Sequence, residues 1–341
     1  MADLRLENVS KSFGAIRAVR ELDLTLADGE FLVLLGPTGA GKTTTLRLAA
    51  GLEKPDTGRV HIAGEDVTEL PPAARDVAFV FQTFSLYPHL DVRDNLAFPL
   101  RAPVRRLGER EIRKRVEEVA EMLGIAGKLA NRATQLSGGE MQRVAIGRAL
   151  VREPRLFLMD EPLSSLDAKL RENLRIELKR IQRELGATIL YVTHDQIEAT
   201  TMADRIGVLE AGELLQLAPP REIYDRPAEV RVARRLGSPA INLLAAERAP
   251  ELVPKPGVAR IGIRPEDIAL GRGGFEARVR HVEPLGADTV VLLEFRETRL
   301  HALSSGRNGL QSGQEVTFDL ARHRLLFFDG QGRLLHTTDA G

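Results

Sequence analysis

The sequence contains no cysteine and no tryptophan, and aromatic residues make up only 4% of its 341 residues. The lack of cysteine excludes a disulfide framework, a thiol nucleophile and a thiolate metal site, and it suits a reducing compartment. An excess of charge is absent too, because 48 basic residues balance 48 acidic ones. We therefore expect no overall field that draws the chain to nucleic acid or to anionic lipid.

Long apolar runs are also missing. The longest, such as residues 31–35 and 156–159, fall far short of the roughly 20 residues that cross a bilayer. Near the start of the chain, Asp3, Arg5 and Glu7 interrupt every apolar stretch, so neither a secretory signal nor a transit peptide is visible. We expect a cytoplasmic protein whose membrane association, if any, comes through a partner.

Short runs of Val, Ile, Leu and Phe alternate with helical patterns up to about residue 210. This alternation predicts an α/β domain whose sheet is buried on both faces. The candidate strands are 31–35, 77–81, 156–159, 188–192 and 206–209. Two apolar stripes with a spacing of three or four residues predict amphipathic helices: Leu166, Leu170, Leu174, Leu178, Ile181 and Leu185, and Ile112, Val116, Val119 and Leu123.

The pattern changes in the last third of the chain. Proline and glycine accumulate between residues 219 and 257, which predicts a linker, and we place a domain boundary near residue 236. Beyond it, Val316, Phe318 and Leu320 alternate with polar residues, and glycine-rich segments at 271–274 and 306–313 predict turns. The predicted domains are therefore residues 1–235 and a small β-barrel at residues 236–341.

A phosphate-binding loop follows the first candidate strand of the sheet. It comprises Gly36, Pro37, Thr38, Gly39, Ala40, Gly41, Lys42 and Thr43. In this pattern, glycines let consecutive backbone N–H groups converge on a triphosphate, Lys42 would reach the β and γ phosphates, and the Thr43 hydroxyl would bind Mg²⁺. A helical pattern begins at Thr44, so the helix dipole favours the anion. The alternative, a glycine-rich surface turn, is much less compatible with this context.

Two adjacent carboxylates, Asp160 and Glu161, follow the apolar run 156–159. The carboxyl ends of strands are where open α/β sheets bind their ligands. Asp160 can hold Mg²⁺ through water, and Glu161 can accept a proton from an attacking water. Two acids in this position are also typical of a solvated turn, an alternative that the upstream phosphate loop disfavours.

The segment 136–143, Leu-Ser-Gly-Gly-Glu-Met-Gln-Arg, lies between these two elements. It resembles the signature sequence of the ATP-binding-cassette (ABC) ATPases. Ser137 and the N–H groups of Gly138 and Gly139 open a helix, which makes a second phosphate-binding surface. The resemblance implies that two ATPase domains hold ATP between them head to tail, with each signature completing the site of the other.

Further positions match the family in the expected order. The resemblance implies that Gln82 contacts Mg²⁺ or the attacking water, that Asp167 belongs to a loop crossing the dimer interface, and that His194 contacts the γ phosphate. It also implies that Phe13 stacks on adenine, where the family more often has tyrosine. A phenylalanine buried in the core is the competing interpretation of Phe13.

The resemblance extends into the second domain. Segments 225–227, 237–239, 262–266 and 283–286 are similar to the carboxyl-terminal half of the maltose and glycerol-phosphate importer ATPases. It implies a phosphate-loop NTPase domain with a helical subdomain at about 84–150, followed by a regulatory barrel of the oligonucleotide/oligosaccharide-binding (OB) type. Residues 82–90 would line a groove for a membrane permease.

The function implied is that of the ATPase subunit of a carbohydrate importer, which uses ATP and Mg²⁺ at the cytoplasmic face of the inner membrane. The expected partners are a second ATPase subunit, identical or not, two permease subunits and, indirectly, an extracytoplasmic solute-binding protein, with no nucleic acid. The alternatives are an importer ATPase for polyamine, anion or iron, a soluble cassette ATPase acting on DNA or ribosomes, and a barrel that binds a regulator. The sequence leaves the solute open, since an ATPase of this type does not contact it.

Overall fold

The computed structural model describes residues 2–102, 107–306 and 309–337, and the chain forms two compact units, residues 1–217 and 218–341. The strands of the first unit are β1 (Leu4–Phe13), β2 (Ile16–Leu26), β3 (Phe31–Leu35), β4 (Thr57–Ile62), β5 (Glu65–Asp66), β6 (Val77–Val80), β7 (Leu156–Asp160), β8 (Ile189–Thr193), β9 (Arg205–Glu210) and β10 (Glu213–Ala218). Its helices are α1 (Lys42–Ala50), α2 (Val92–Ala97), α3 (Glu109–Met122), α4 (Gly138–Leu150), α5 (Ala168–Leu185) and α6 (Gln196–Met202).

A six-stranded sheet forms the centre of the first unit, with strand order β10-β9-β3-β8-β7-β6. The ladders that join β3 to β8 and β9, and β7 to β6 and β8, are parallel. Every residue of β3, β7 and β8 is buried, as expected for strands covered on both faces. The predicted α/β domain is confirmed, and the ends of its five predicted strands differ from the predicted ones by at most one residue, while β10 was not predicted.

A second, antiparallel sheet with order β2-β1-β4-β5 lies in the same unit and shares a hydrophobic core with α1. Helices α2, α3 and α4 lie in the segment for which the sequence predicts a helical subdomain, 84–150. Gly147 of α4 explains how closely they pack, because a Cβ there would lie 2.7 Å from Leu96 and 3.0 Å from Leu123. A larger residue would therefore push α4 away from its neighbours.

Both predicted apolar stripes have a buried face. In α3, Ile112, Val116 and Val119 are buried. In α5, Leu174, Leu178 and Ile181 are buried. The two ends of the α5 stripe differ from the prediction. Leu166 is buried in the turn before the helix, and Leu185, the last residue of α5, is 41% exposed. The helix begins only after Asp167, whose side chain accepts a hydrogen bond from the N–H of Leu170.

The second unit begins with helices α7 (Pro220–Asp225) and α8 (Val230–Ala233). Its strands are β11 (Asn242–Ala245), β12 (Arg260–Ile263), β13 (Ile268–Pro284), β14 (Asp288–Phe295), β15 (Thr298–Ser305), β16 (Glu315–Leu320), β17 (Leu326–Phe328) and β18 (Leu334–Thr337). They form two four-stranded sheets, β11-β12-β17-β18 and β15-β14-β13-β16, around one core. The rings of Phe275, Phe295 and Phe318 meet at its centre. The alternation in β16 is confirmed, since Val316, Phe318 and Leu320 are buried.

The boundary between the two units lies earlier than the predicted position near residue 236. The reason is a buried guanidinium. Arg264 donates hydrogen bonds to the carbonyls of Tyr224, Ala233 and Leu236, which ties the segment 218–236 to the barrel. Such a link between residues distant in sequence leaves no trace in the local pattern of proline and glycine.

The predicted turn at 271–274 is an interruption within β13. Leu270 and Phe275 both pair with Phe318 of β16, so the four residues between them form an outward bulge. The predicted turn at 306–313 follows β15, and two of its residues lie outside the described part of the chain.

Candidate nucleotide-binding and catalytic site

The sequence-predicted catalytic segments meet at one edge of the central sheet. Leu35 pairs with Thr193, Asp160 with Val192, and Val80 with Met159. Because these strands are parallel, the residues that follow each of them lie at the same edge. The phosphate loop, the two carboxylates, His194 and Gln82 therefore come from four neighbouring strand ends.

The phosphate loop joins β3 to α1, and two of its glycines are required by close backbone contacts. A Cβ at Gly36 would lie 2.2 Å from the carbonyl oxygen of Leu209. Gly41 has φ of 100°, and its Cβ would lie 2.3 Å from the carbonyl oxygen of Ala18. Thr38, Gly39 and Thr43 are exposed, so the outer face of the loop is open to a ligand.

Lys42 is the central cation of this site and is only 5% exposed. Its Nζ donates to the carbonyls of Gly36 and Pro37, at 3.0 and 3.1 Å, and lies 3.3 Å from Oε1 of Glu161. The ammonium group is therefore held by oxygens alone. A phosphate that enters the loop can take the place of these oxygens, since its charged oxygens are stronger acceptors for an ammonium group than neutral carbonyls are.

Thr43 and Asp160 form the candidate magnesium site. The Thr43 hydroxyl donates to Oδ1 of Asp160 at 2.9 Å, so the two predicted ligands are already adjacent. Burial raises the pKa of Asp160, the hydrogen bond from Thr43 opposes this, and the charge of Glu161 adds to it. This donor set fits Mg²⁺, which prefers hard oxygens and retains several waters. Within the described residues, no group of three or more His, Cys, Asp or Glu side chains is arranged to hold a metal ion.

Glu161 lies between Lys42 and His194. Its Oε2 is 2.8 Å from Nδ1 of His194, while its Oε1 faces Lys42. The backbone of Glu161 has φ of 42°, a left-handed conformation that is unfavourable for a non-glycine residue. Strain of this kind is often found at functional sites, and here it occurs at a carboxylate whose Oε1 faces Lys42 of the phosphate loop.

Gln82 and Phe13 are both exposed. Gln82 follows β6 and is open to solvent. Phe13 is 46% exposed at the β1–β2 hairpin, with the ammonium of Lys11 5.5 Å from its ring centroid. The interpretation of Phe13 as a core residue is therefore wrong, while stacking on adenine stays a prediction.

The signature residues lie at the beginning of α4. Ser137 caps the helix: its hydroxyl accepts from the N–H of Glu140, and Oε2 of Glu140 accepts from the N–H and hydroxyl of Ser137. Gly139 packs closely on Leu170, where a Cβ would lie 2.3 Å from a side-chain carbon. Among the described residues, no hydrogen bond or ion pair joins Ser137, Gly138 or Gly139 to the phosphate loop.

Sequence reasoning missed a buried cluster next to His194. Oε2 of Glu198 accepts hydrogen bonds from Tyr191 and Thr193, at 2.8 and 2.7 Å. Burial raises the pKa of Glu198, and the two hydrogen bonds oppose this. The cluster fixes the end of β8 from which His194 projects. A carboxylate four residues after His194, in the first turn of a helix, was the available signal.

Known proteins match both units of the chain. A family profile described as ABC transporter matches residues 19–164, and one described as TOBE domain matches residues 261–328. The trehalose/maltose import ATP-binding protein of Thermococcus litoralis is 44% identical, over 96% of this chain and 98% of that protein. The sn-glycerol-3-phosphate import ATP-binding protein of Rhizobium meliloti is 47% identical, over 98% of this chain and 100% of that protein.

A solved structure resembles the ATPase part. It is a dimeric, post-hydrolysis state of an ATP-binding cassette bound to ADP and Pi, with a TM-score of 0.57 and 36% identity. The match covers 64% of this chain and 99% of that chain. No helix in the described part of the chain is both long and apolar enough to span a bilayer. The comparisons confirm the predicted fold class, a nucleotide-binding α/β domain followed by an OB-like barrel.

Proposed function

The chain belongs to the ABC family, as an ATP-binding subunit of the import type, and from this premise we propose that its ATP hydrolysis drives carbohydrate uptake through a membrane permease. The observation that carries the proposal is the match to import ATP-binding proteins over nearly the whole chain, barrel included. The relatives named for trehalose/maltose and for glycerol phosphate support a sugar, oligosaccharide, polyol or glycerol phosphate as the solute. They favour this class over polyamine, anion or iron.

The site geometry supports a role for each residue in phosphate binding. The backbone N–H groups of residues 36–44 surround the phosphates, and Lys42 transfers its contacts from Gly36, Pro37 and Glu161 to the β and γ phosphates. Phe13 stacks on the adenine ring. Thr43, Asp160 and Gln82 would hold Mg²⁺, which neutralises phosphate charge when bound.

Hydrolysis requires a water that attacks the γ phosphorus and a group that accepts its proton. Glu161 Oε1 is free to accept that proton once Lys42 has turned to the phosphates. His194 holds Oε2 of the same carboxylate and contacts the γ phosphate from the next strand end. The contact with His194 holds the carboxylate in advance, so little reorganisation is needed during the reaction.

A second ATPase subunit completes the site. Ser137, Gly138 and Gly139 of one subunit face the phosphates bound by the other, and Asp167 lies in the loop that crosses the interface. The subunits are two copies of this chain or one copy with a related ATPase. The exposed outer face of the phosphate loop, where Thr38, Gly39 and Thr43 are open to solvent, supports this arrangement.

An aromatic surface that includes Tyr87 supports docking to the permease. A cavity of about 230 Å³ is lined by Phe79, Tyr87, Phe98 and Arg148, and Phe98 is 52% exposed. It adjoins the predicted groove at residues 82–90, and exposed aromatic side chains of this kind need a partner. The ATPase would thereby lie at the cytoplasmic face of the inner membrane, in contact with two permease subunits and indirectly with a solute-binding protein.

Replacing the proposed base tests the hydrolytic assignment. Glu161→Gln should bind ATP and Mg²⁺ but hydrolyse ATP about 10² to 10⁴ times more slowly, because the amide keeps the shape and loses the base. The measurement is phosphate release beside equilibrium binding of labelled ATP. Glu172→Gln, an exposed carboxylate on α5, is the control. Hydrolysis at the wild-type rate by Glu161→Gln would exclude Glu161 as the base.

The carbohydrate assignment needs a transport assay. The protein would be reconstituted with its permease and solute-binding protein in vesicles loaded with ATP. We expect uptake of a labelled sugar, polyol or glycerol phosphate, and none by the Glu161→Gln protein. Uptake of a polyamine, an inorganic anion or iron instead would overturn the carbohydrate assignment and leave the ATPase assignment intact.

A further inference from the structure

We propose that Arg171 is a positioning residue that holds the loop carrying Glu161 and Asp167 in a fixed relation to His194. Arg171 lies in the first turn of α5, and we name residues 161–167, which precede that helix, the connecting loop. The inference rests on the proposed function, since it concerns the same catalytic residues. It adds a residue that touches neither nucleotide nor water and acts through others.

The Arg171 guanidinium joins two segments that are far apart in sequence. Its Nη2 donates to the carbonyl oxygen of Leu166 at 2.8 Å and lies 3.5 Å from that of Ser164. Its Nη1 lies 3.6 Å from Oδ2 of Asp195, the residue after His194. One planar cation therefore contacts the connecting loop on one side and the His194 segment on the other.

Asp195 links Arg171 to the segment that carries His194. Its Oδ1 caps α6 by accepting from the N–H groups of Ile197 and Glu198, while Oδ2 faces Arg171. The N–H of Asp195 donates to the hydroxyl of Thr193, at the end of β8. Because both its side chain and its backbone are held, Asp195 leaves the neighbouring His194 little freedom to move.

Ser164 links Arg171 to the backbone of Glu161. The N–H and the hydroxyl of Ser164 both donate to the carbonyl oxygen of Glu161, at 3.2 and 2.8 Å. Glu161 has the strained φ of 42°, and such a conformation persists only where its surroundings hold it. The carbonyl contacts of Arg171 fix the far side of the same loop, up to Asp167, the first residue of the α5 cap.

The position of Arg171 is unfavourable for a cation unless such contacts offset it. Four residues after the cap of α5, a positive side chain lies in the first turn, where the helix dipole favours negative charge. A single ammonium could not contact both the carbonyls and Asp195 in one geometry, whereas the guanidinium offers several donors in a plane. Arginine at this site thus meets a geometric requirement rather than a need for charge alone.

The test compares Arg171→Met and Arg171→Lys with Arg175→Met, a matched change one turn further along α5. ATP hydrolysis by the full chain, assembled with its permease, is measured over a range of ATP concentrations and pH. Because Glu161 and His194 lose their fixed relation, we expect kcat to fall about 10- to 100-fold in both Arg171 variants, with KM for ATP within about twofold. Arg175→Met should match the wild type.

Two further measurements distinguish positioning from a merely structural role. Asp195→Asn keeps the helix cap but presents an amide N–H₂ to Arg171, so it should lower kcat in the same direction with KM unchanged. Adding Arg171→Met to Glu161→Gln should cost almost nothing further, since the positioned base is already gone. If Arg171→Met does not fold, Arg171→Lys and Asp195→Asn answer the same question.

Three results would overturn the inference: kcat of the Arg171 variants within twofold of wild type, a loss that appears equally in KM, or full additivity with Glu161→Gln. A failure of the proposed function has a different pattern. In that case, Glu161→Gln itself would leave hydrolysis unchanged, whatever the Arg171 variants do. If Glu161→Gln slows hydrolysis as expected but the Arg171 variants match the wild type, only the positioning role of Arg171 is excluded.

Discussion

At the scale of single residues, the site is organised by contacts between Lys42, the oxygens around it, and His194. Lys42 is held by two carbonyls and Glu161, and Glu161 by Lys42 and His194. Bound phosphate can displace the three contacts of Lys42, while the contact between Glu161 and His194 is retained. The acceptors around Lys42 therefore lie where the oxygens of a triphosphate would bind.

A carboxylate in the barrel gives a pH-dependent prediction. Asp267 is 3% exposed, pairs through Oδ1 with Arg324 at 2.8 Å, and has no hydrogen-bond partner for Oδ2. Burial raises its pKa from 3.8 to about 6, despite the charge of Arg324. A raised folded-state pKa means that the contribution to stability is complete below about pH 3.8 and is lost as pH rises through about 6.

Asp267→Asn removes the charge that burial disfavours. As pH rises from about 4 to about 7, the unfolding free energy of this variant should increase relative to wild type by up to roughly 3 kcal/mol. Urea unfolding of both proteins over this pH range measures the difference. The exposed Glu276→Gln serves as the control. A difference that stays constant with pH would show that Asp267 titrates normally in the folded chain.

At the scale of elements, the first turn of α4 combines a cap with a charge. Glu140 accepts hydrogen bonds from Ser137 and pairs with Lys128 at 3.0 Å. The hydrogen bond from the N–H of Ser137, followed by the one from Lys128, lowers the pKa of Glu140, so its carboxylate is charged. A negative charge here opposes the phosphate that the signature is proposed to contact in the other subunit.

Glu140→Gln should therefore strengthen ATP binding at the signature, because it removes this negative charge. Glutamine keeps the capping box, so the helix start should be preserved while the charge disappears. We expect KM for ATP to fall about two- to fivefold, the effect of roughly 0.3 to 1 kcal/mol at a helix terminus. Steady-state hydrolysis at low salt measures it. An unchanged or higher KM in a protein of normal stability would argue that Ser137 does not approach a phosphate.

The elements also show how far sequence reasoning reaches. Five of the six strands of the central sheet were predictable because each is built on a short apolar run, and parallel strand ends brought Lys42, Asp160 and Glu161 together. The sixth, β10, was not predicted, since Gln216 interrupts its apolar residues. The bulge at 271–274 and the attachment of residues 218–236 to the barrel could not be predicted, because both depend on partners distant in sequence. The contact of Arg171 with Asp195 belongs to the same class.

At the scale of the whole molecule, the division into two units predicts where the chain can be cut. Truncation after Ala218 should leave a folded ATPase unit, because residues 1–217 form a compact unit of their own. It should still bind nucleotide, because every proposed phosphate contact precedes residue 195. Truncation after Leu236 should give a protein more prone to aggregate, since Val230 and Ala233 would lose their apolar contacts with the barrel and the carbonyls of Ala233 and Leu236 would lose Arg264.

Size-exclusion chromatography and titration with labelled ATP compare the two truncated proteins with the full chain. We expect similar nucleotide affinity in the shorter fragment and the full chain, and extra aggregation only in the longer fragment. Loss of ATP binding by a shorter fragment that circular dichroism shows to be folded would place part of the nucleotide site in the second unit. Equal behaviour of the two fragments would argue against the boundary at 217/218.

The most direct test of the central claim, an ATP site completed by a second subunit, uses dimers with two defined lesions. Lys42→Ala disables a phosphate loop and Ser137→Arg disables a signature, both in a Glu161→Gln background that retains bound ATP. With the lesions in opposite subunits, one composite site stays intact, and trapped labelled ATP should reach half the amount of the unmutated dimer. With both in one subunit, each site carries one lesion and almost no ATP should be trapped. Equal trapping by the two arrangements would contradict the shared site.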